Sequence, residues 1–199
     1  MENYVKKYLD ETSKISQQID HQSIENIVSS LIEIRERDGR VFFIGSGGGA
    51  GHASHAVNDF RKIANIESYT PTDNVSELTA RINDDGWDTS YLNYLKASRF
   101  NKNDGVFVFS VGGGNKKNNI SINLVECMQY AVDIQAKVMG IVGKDGGFCK
   151  EVSENCVVIP VVDEDSITPH TEGWQAIIWH LIVSHPKIIM NAMKWESTK

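Results

Sequence analysis

His52, His55 and Asp59 stand three and four residues apart, a spacing that places all three side chains on one face of a helix. A histidine and a carboxylate four residues apart can meet one ion, as the paired ligands of zinc enzymes do, or handle a proton together. The simpler alternative is an ion pair on a solvated helix face, with His52 solvated or capping. Directly ahead of them lies Gly45-Ser46-Gly47-Gly48-Gly49-Ala50-Gly51, which follows the apolar run Val41 to Ile44. Glycines let backbone N–H groups come close to a ligand, and a helix N-terminus behind them adds unpaired donors and a positive dipole end. The four successive small residues Ser46 to Gly49 favour contact with an anion or a sugar over a tight turn without a ligand. An anion cradle beside groups that hold a metal or a proton points to a phosphorylated substrate.

A second loop, Ser110-Val111-Gly112-Gly113-Gly114-Asn115-Lys116-Lys117, also follows an apolar run. Its glycine amides, hydroxyl and lysines could hold a phosphate or form a solvated basic turn. Near the other end, Pro169 to Gln175 opens a long helix that carries Glu172 and His180 on one stripe. About 12 Å of helix rise separates these two, so both reach one ion only by leaning together. His180 stands among Trp174, Ile177, Ile178, Trp179, Leu181 and Ile182, where it is either a functional group or a hydrogen-bonded core histidine. His185, before Pro186, reads as helix termination. The first loop is not a dinucleotide fingerprint, since no acidic residue ends a second strand at ribose distance, and it lacks the Gly-Lys-Ser/Thr ending of a P-loop.

These residues need a scaffold to bring them together. Tyr4, Tyr8, Ile15 and Ile19, then Ile24, Ile27, Val28, Leu31, Ile32 and Ile34, set a helical period from Met1 to about Asp38, with two helices meeting near Asp20-His21-Gln22. Val41 to Ile44, Val106 to Phe109, Val138 to Val142 and Val157 to Val162 suit strands buried on both faces of a parallel sheet, and Ser68 to Thr70 is a weaker fifth. Ser54 to Ile66, Val75 to Asn83, Thr89 to Phe100, Ile120 to Gln135 and the Thr171 to Met193 region read as helices. The alternation predicts a three-layer α/β/α sandwich. In it, Gly45 to Gly51, Gly112 to Gly114 and Gly143 to Gly147 fall beyond the carboxyl ends of strands, where open parallel sheets bind ligands. The 199 residues suit one domain, 1–199, with a helical extension over 1–38. A net charge of -6 with scattered basic residues speaks against nucleic acid or an anionic membrane as partner. Cys127, Cys149 and Cys156 show no Cys-x-x-Cys spacing, which speaks against a disulfide framework or a zinc ribbon and suits a reducing cytoplasm. No leader pattern stands at the start, and no stretch reaches the roughly 20 apolar residues of a membrane span, so a soluble, cytoplasmic protein is expected.

Taken jointly, the strand-Gly-x-Gly-Gly loop, His55-x-x-x-Asp59, Asn83-Asp84, the Ser110 loop, Gly143-Lys144-Asp145-Gly146-Gly147 and the Glu172 to His180 helix resemble sugar isomerase (SIS) domains over nearly the whole chain. Among these they are most similar to the phosphoheptose isomerase family. The resemblance implies a flavodoxin-like, five-stranded parallel sheet, a homotetramer with active sites between subunits, and Zn2+ or another divalent metal. It implies His55, Asp59, Glu172 and His180 as metal ligands. Around the sugar phosphate it implies Ser46, Gly47, Gly48, Asp59, Asn83, Asp84, Ser110, Val111, Gly112, Asn115 and Glu172. The base would be Asp59 and the acid His180, with Glu172 as the second carboxylate able to take the proton. The implied reaction converts sedoheptulose 7-phosphate to D-glycero-D-manno-heptose 7-phosphate for a lipopolysaccharide or capsule. Three departures stand out: Asp59 replaces the family's glutamate, Glu172 its glutamine, and Val-Gly-Gly-Gly-Asn-Lys-Lys its serine- and threonine-rich phosphate loop. The alternatives are a non-catalytic tetrameric sugar-phosphate sensor or replication-initiator adaptor, and an isomerase of another phosphosugar.

Overall fold

Asn3 and Asp20 set the start of the fold: each accepts a hydrogen bond from a first-turn backbone N–H, Lys6 N at 3.3 Å and Gln22 N at 2.9 Å. These N-caps open α1 (Tyr4–Gln18) and α2 (His21–Glu36), the two helices expected from the apolar period. The computed structural model describes residues 3–153 and 155–193. After α2 the chain runs β1 (Val41–Gly45), α3 (Gly48–Lys62), β2 (Ser68–Tyr69), α4 (Val75–Asp85), α5 (Trp87–Ala97), β3 (Gly105–Ser110) and α6 (Ile122–Asp133). It continues through β4 (Lys137–Val142), α7 (Gly147–Val152) and β5 (Cys156–Val158), and a 3-10 turn leads into α8 (Ile167–Val183).

All five strands pair in parallel in the order β2-β1-β3-β4-β5. Side chains alternate across them, as the strand period requires. Phe43, Phe107, Phe109, Met139, Ile141 and Val157 pack under α1, α2, α3 and α8, while Phe42, Ile44, Val106, Val108, Val138 and Val142 pack under α5, α6 and α7. Both faces are covered, which is why the strands read as unbroken apolar runs. The fold is the expected three-layer α/β/α sandwich.

Several boundaries differ from the sequence expectation. β5 ends at Val158 rather than Val162: Ile159 N still bonds Val142 O at 2.7 Å, but Pro160 has no N–H with which to extend the ladder. α8 starts a turn before Thr171 because Pro169 sits in the first turn, where its missing N–H costs nothing, and it stops at Val183, not Met193. α3 begins inside the glycine loop, so Gly48 to Gly51 form its first turn. The short α7 was absent from the expectation altogether.

A buried polar contact docks α1 on the sheet's helical layer. His170, early in α8, meets Glu11 of α1 at 2.8 Å, with side chains only 5% and 6% exposed, and its ring stacks on Tyr8 at 4.3 Å. Lys7 approaches the other Glu11 oxygen at 3.5 Å and also pairs with Asp163. At the amino edge of the sheet Arg40 pairs with buried Asp104 at 2.8 Å, tying the entry of β1 to that of β3. No described helix is long and apolar enough to cross a membrane.

Candidate active site

β1 delivers the first glycine loop to the carboxyl edge of the sheet. Ser46 O accepts from Gly49 N at 3.1 Å and Gly47 O from Ala50 N at 3.0 Å, which winds the loop straight into α3. Gly47, the residue before α3, has φ +57, a left-handed conformation that glycine adopts without strain. A side chain on Gly48 would stand 2.6 Å from the carboxyl carbon of Glu172, so the absence of a Cβ there lets that carboxylate lie against the N-terminus of α3. A negative group is well placed at the positive end of a helix. Glu172 therefore occupies part of what the sequence presents as an anion cradle.

About two and three turns further along α3, His55 and Asp59 meet His180 of α8. Each of the three offers a ligand atom, and these atoms lie within 4.8 Å of one another. His180 Nδ1 pairs with Ala176 O at 2.7 Å, which leaves Nε2 as the free ring nitrogen. Asp59 Oδ1 accepts from Asn58 Nδ2 at 2.7 Å, while Oδ2 faces His55 Nε2 at 3.7 Å. Trp179, buried beneath, supports both rings: His55 meets its edge at 4.8 Å and His180 stacks on it at 3.5 Å. Ligands of a tetrahedral ion held at about 2.1 Å sit about 3.4 Å apart, so the three donors fit one cation after closing inward by about an ångström. His180 is exposed rather than a core histidine, since α8 turns Trp179 inward and His180 outward. Glu172, the fourth ligand implied by resemblance, lies outside this trio, two turns earlier on α8.

His52 makes no cap hydrogen bond and is only partly solvated. It is half-buried with its ring 5.9 Å from Phe109, and burial holds its pKa below the ordinary histidine value against the opposing pull of Glu172. The second and third glycine loops interlock: Phe148 N and Cys149 N of α7 bond Gly114 O and Gly113 O at 2.9 and 3.0 Å, and Gly143 N bonds Val111 O at 3.0 Å. Ser110 Oγ accepts from Gly113 N at 3.1 Å. Asn115 pairs with Ile120 as a short antiparallel bridge whose exposed turn carries Lys116 and Lys117, while Val111 and Gly112 lie in the bend between β3 and that bridge. Asn83 and Asp84 are exposed at the end of α4, bonded to each other at 2.7 Å. Two residues escaped the sequence reading: Ser121, the uncapped left-handed residue before α6, and Asn123, wholly buried and bonded to Ser46. Asn123 was legible only as a polar residue among the apolar positions Leu124, Val125, Cys127 and Met128.

Two hollows lie away from the trio, one of about 370 Å³ at the amino edge beside Arg35, Arg61 and Glu67, another of about 510 Å³ beside Lys144, Asp145 and Glu164.

A five-stranded parallel sheet in this order, with two helices delivering His, Asp and His beside glycine loops, defines an open α/β fold with its candidate ligands at the carboxyl edge of the sheet, where such folds bind small molecules. The chain belongs to the SIS domain family, whose match spans residues 3–143. It is 25% identical to a phosphoheptose isomerase of Helicobacter pylori over 81% of each chain, and 23% identical to one of Aneurinibacillus thermoaerophilus over the full length of both. Among solved structures, the phosphoheptose isomerase of Neisseria gonorrhoeae superposes with a TM-score of 0.76 at 20% identity, covering 90% of this chain and 95% of that one. The sequence relatives named here are phosphoheptose isomerases, and the solved structure shares the fold.

Proposed function

We propose that the chain is a metal-assisted aldose-ketose isomerase of a phosphorylated sugar, with sedoheptulose 7-phosphate as the ketose and D-glycero-D-manno-heptose 7-phosphate as the aldose. The observation that carries this reading is the meeting of His55, Asp59 and His180 from α3 and α8 beside the first glycine loop. In it these three residues hold a divalent cation such as Zn2+, which when bound would polarise the substrate carbonyl. Glu172, the carboxylate left outside the trio, takes the proton from C1 of the ketose and returns it to C2, while the hydroxyl proton passes from O1 to O2. Asp59 is the rival base, as the carboxylate that the resemblance assigns to that role. The phosphate lies toward the Ser110 to Asn115 loop and Ser121, and the sugar chain toward Ser46 to Gly48.

Ile177 and Leu181, 46% and 43% exposed, flank His180, and α4 has no buried residue. Both features support a homotetramer in which a neighbouring copy covers the site and α4 brings Asn83 and Asp84 to it. We place the enzyme in the cytoplasm, supplying heptose for a surface polysaccharide.

The test is product NMR in deuterated water with the ketose phosphate as substrate. Wild type should form the aldose and incorporate solvent deuterium at C2, with Glu172→Gln slower than wild type by at least two orders of magnitude. Full turnover in Glu172→Gln, with loss in Asp59→Asn, would move the base to Asp59; full turnover in both would sink the mechanism. Zinc titration of chelator-treated protein checks the cation separately, and a His55→Ala variant binding zinc as tightly as wild type would remove the proposed ligand set.

A further inference from the structure

We infer that Asn123 is a positioning residue, which holds the Ser46 hydroxyl at the rim of the first glycine loop so that it meets the sugar in a fixed orientation. The inference rests on the isomerase reading of this same site.

Asn123 sits in the first turn of α6, on the far side of the sheet edge from α3, and no part of it is exposed. Its Nδ2 donates to Ser46 Oγ at 3.3 Å, across 77 residues of sequence. Its Oδ1 has no hydrogen-bond partner among the described residues. A buried carbonyl left unpaired destabilises a fold, and a leucine of similar volume among Leu124, Val125 and Met128 would carry no such cost. Stability alone therefore argues against asparagine at this position. What the amide does achieve is directed at Ser46.

Ser46 is the one residue between Gly45 and Gly49 with a side chain, and it is exposed. A serine hydroxyl rotates freely unless a partner fixes it. Here Asn123 occupies one lone pair from below, and the buried Tyr91 hydroxyl bonds Gly45 O at 3.0 Å, holding the backbone beneath. With Asn123 on one lone pair, the other is left to accept from a sugar hydroxyl. The same bond ties α6, which follows the second glycine loop, to the first loop, so the two halves of the site move as one.

The experiment is a double-mutant cycle on Asn123→Leu and Ser46→Ala, read by kcat and KM for the ketose phosphate and by thermal melting. Each single variant should lower kcat/KM by about tenfold, chiefly through KM, as loss of one neutral hydrogen bond to substrate does. The double variant should be no worse than either single one, because Asn123 acts through Ser46. Asn123→Leu should melt at or above the wild-type temperature, which a merely structural role would not allow. Asn123→Ala, which adds no volume, runs the same cycle if the leucine does not fit. Wild-type kcat/KM in the Asn123 variants, or losses that multiply in the double variant, would overturn the inference. If wild type turns over no phosphosugar, the isomerase reading has failed, and the cycle is read instead on calorimetric affinity for sedoheptulose 7-phosphate with the same pattern required. Absence of both turnover and binding overturns the two together.

Discussion

Gly48→Ala probes the placement of Glu172 without touching its chemistry. The new methyl would stand 2.6 Å from both Cδ and Oε1 of Glu172 and 2.8 Å from Oε2. Ordinary contact needs about 3.5 Å, so the carboxylate must retreat by about 1 Å from the N-terminus of α3. A misplacement of that size at a reacting group costs about 100-fold in rate. The backbone has no reason to suffer, because Gly48 opens a helix without a left-handed φ, and alanine there gains about 0.5 to 1 kcal/mol over glycine. The variant should thus melt at the wild-type temperature or a few degrees above it, while kcat/KM for the ketose phosphate falls by about two orders of magnitude. Combining it with Glu172→Ala removes the atoms that the methyl meets, so in that background Gly48→Ala should change the residual rate by less than about threefold. Activity close to wild type in Gly48→Ala, or an equal loss with and without Glu172, would refute the reasoning.

The neighbouring glycine should behave in the opposite way: Gly49→Ala would press its methyl on the backbone carbonyl of Phe109 in β3, which cannot swing aside, and urea unfolding should show a loss of about 1 to 3 kcal/mol. His170→Ala removes one of the two partners of buried Glu11, leaving Lys7 at 3.5 Å, and should cost about 1 to 3 kcal/mol by the same measurement, most of it recovered when Glu11→Leu is added. Burial pushes the Tyr91 phenol up to about 12 from 10, so the folded protein keeps a proton that the unfolded chain releases between those values. That contribution is fully present below pH 10 and is lost as pH rises through about 12, a change of about 2 to 3 kcal/mol. Urea midpoints of wild type and Tyr91→Phe should accordingly converge above pH 10, and parallel curves would contradict the assignment.

The strands and most helices were legible because their signals are local. Unbroken runs such as Val138 to Val142 can only be buried on both faces, and the three- and four-residue spacing of Ile24, Ile27, Val28 and Leu31 can only bury one face of a helix. Boundaries were less legible where a single residue decides them. Pro169 permits a helix to begin before it, Pro160 stops a strand, and glycines at 48 to 51 read as a loop although the cap at Gly47 winds them into α3.

In the candidate site, His55 and Asp59 were marked by their own spacing, since a helix brings such pairs together whatever surrounds it. His180 could be named as a candidate from its unusual apolar neighbours, but not as exposed or core: that depended on which way α8 rolled against α3. The roll buries Trp179, carries His180 outward to within 4.8 Å of the other two donors, and leaves Glu172 against Gly48 instead of in the same cluster. The pairings of Glu11 with His170 and of Ser46 with Asn123 left no mark in the sequence, because 159 and 77 residues separate the partners and neither contact repeats along the chain. Periodicity thus settled what each segment becomes, while helix packing over the sheet settled which polar groups meet, since that depends on the relative rotation of elements that no local pattern encodes.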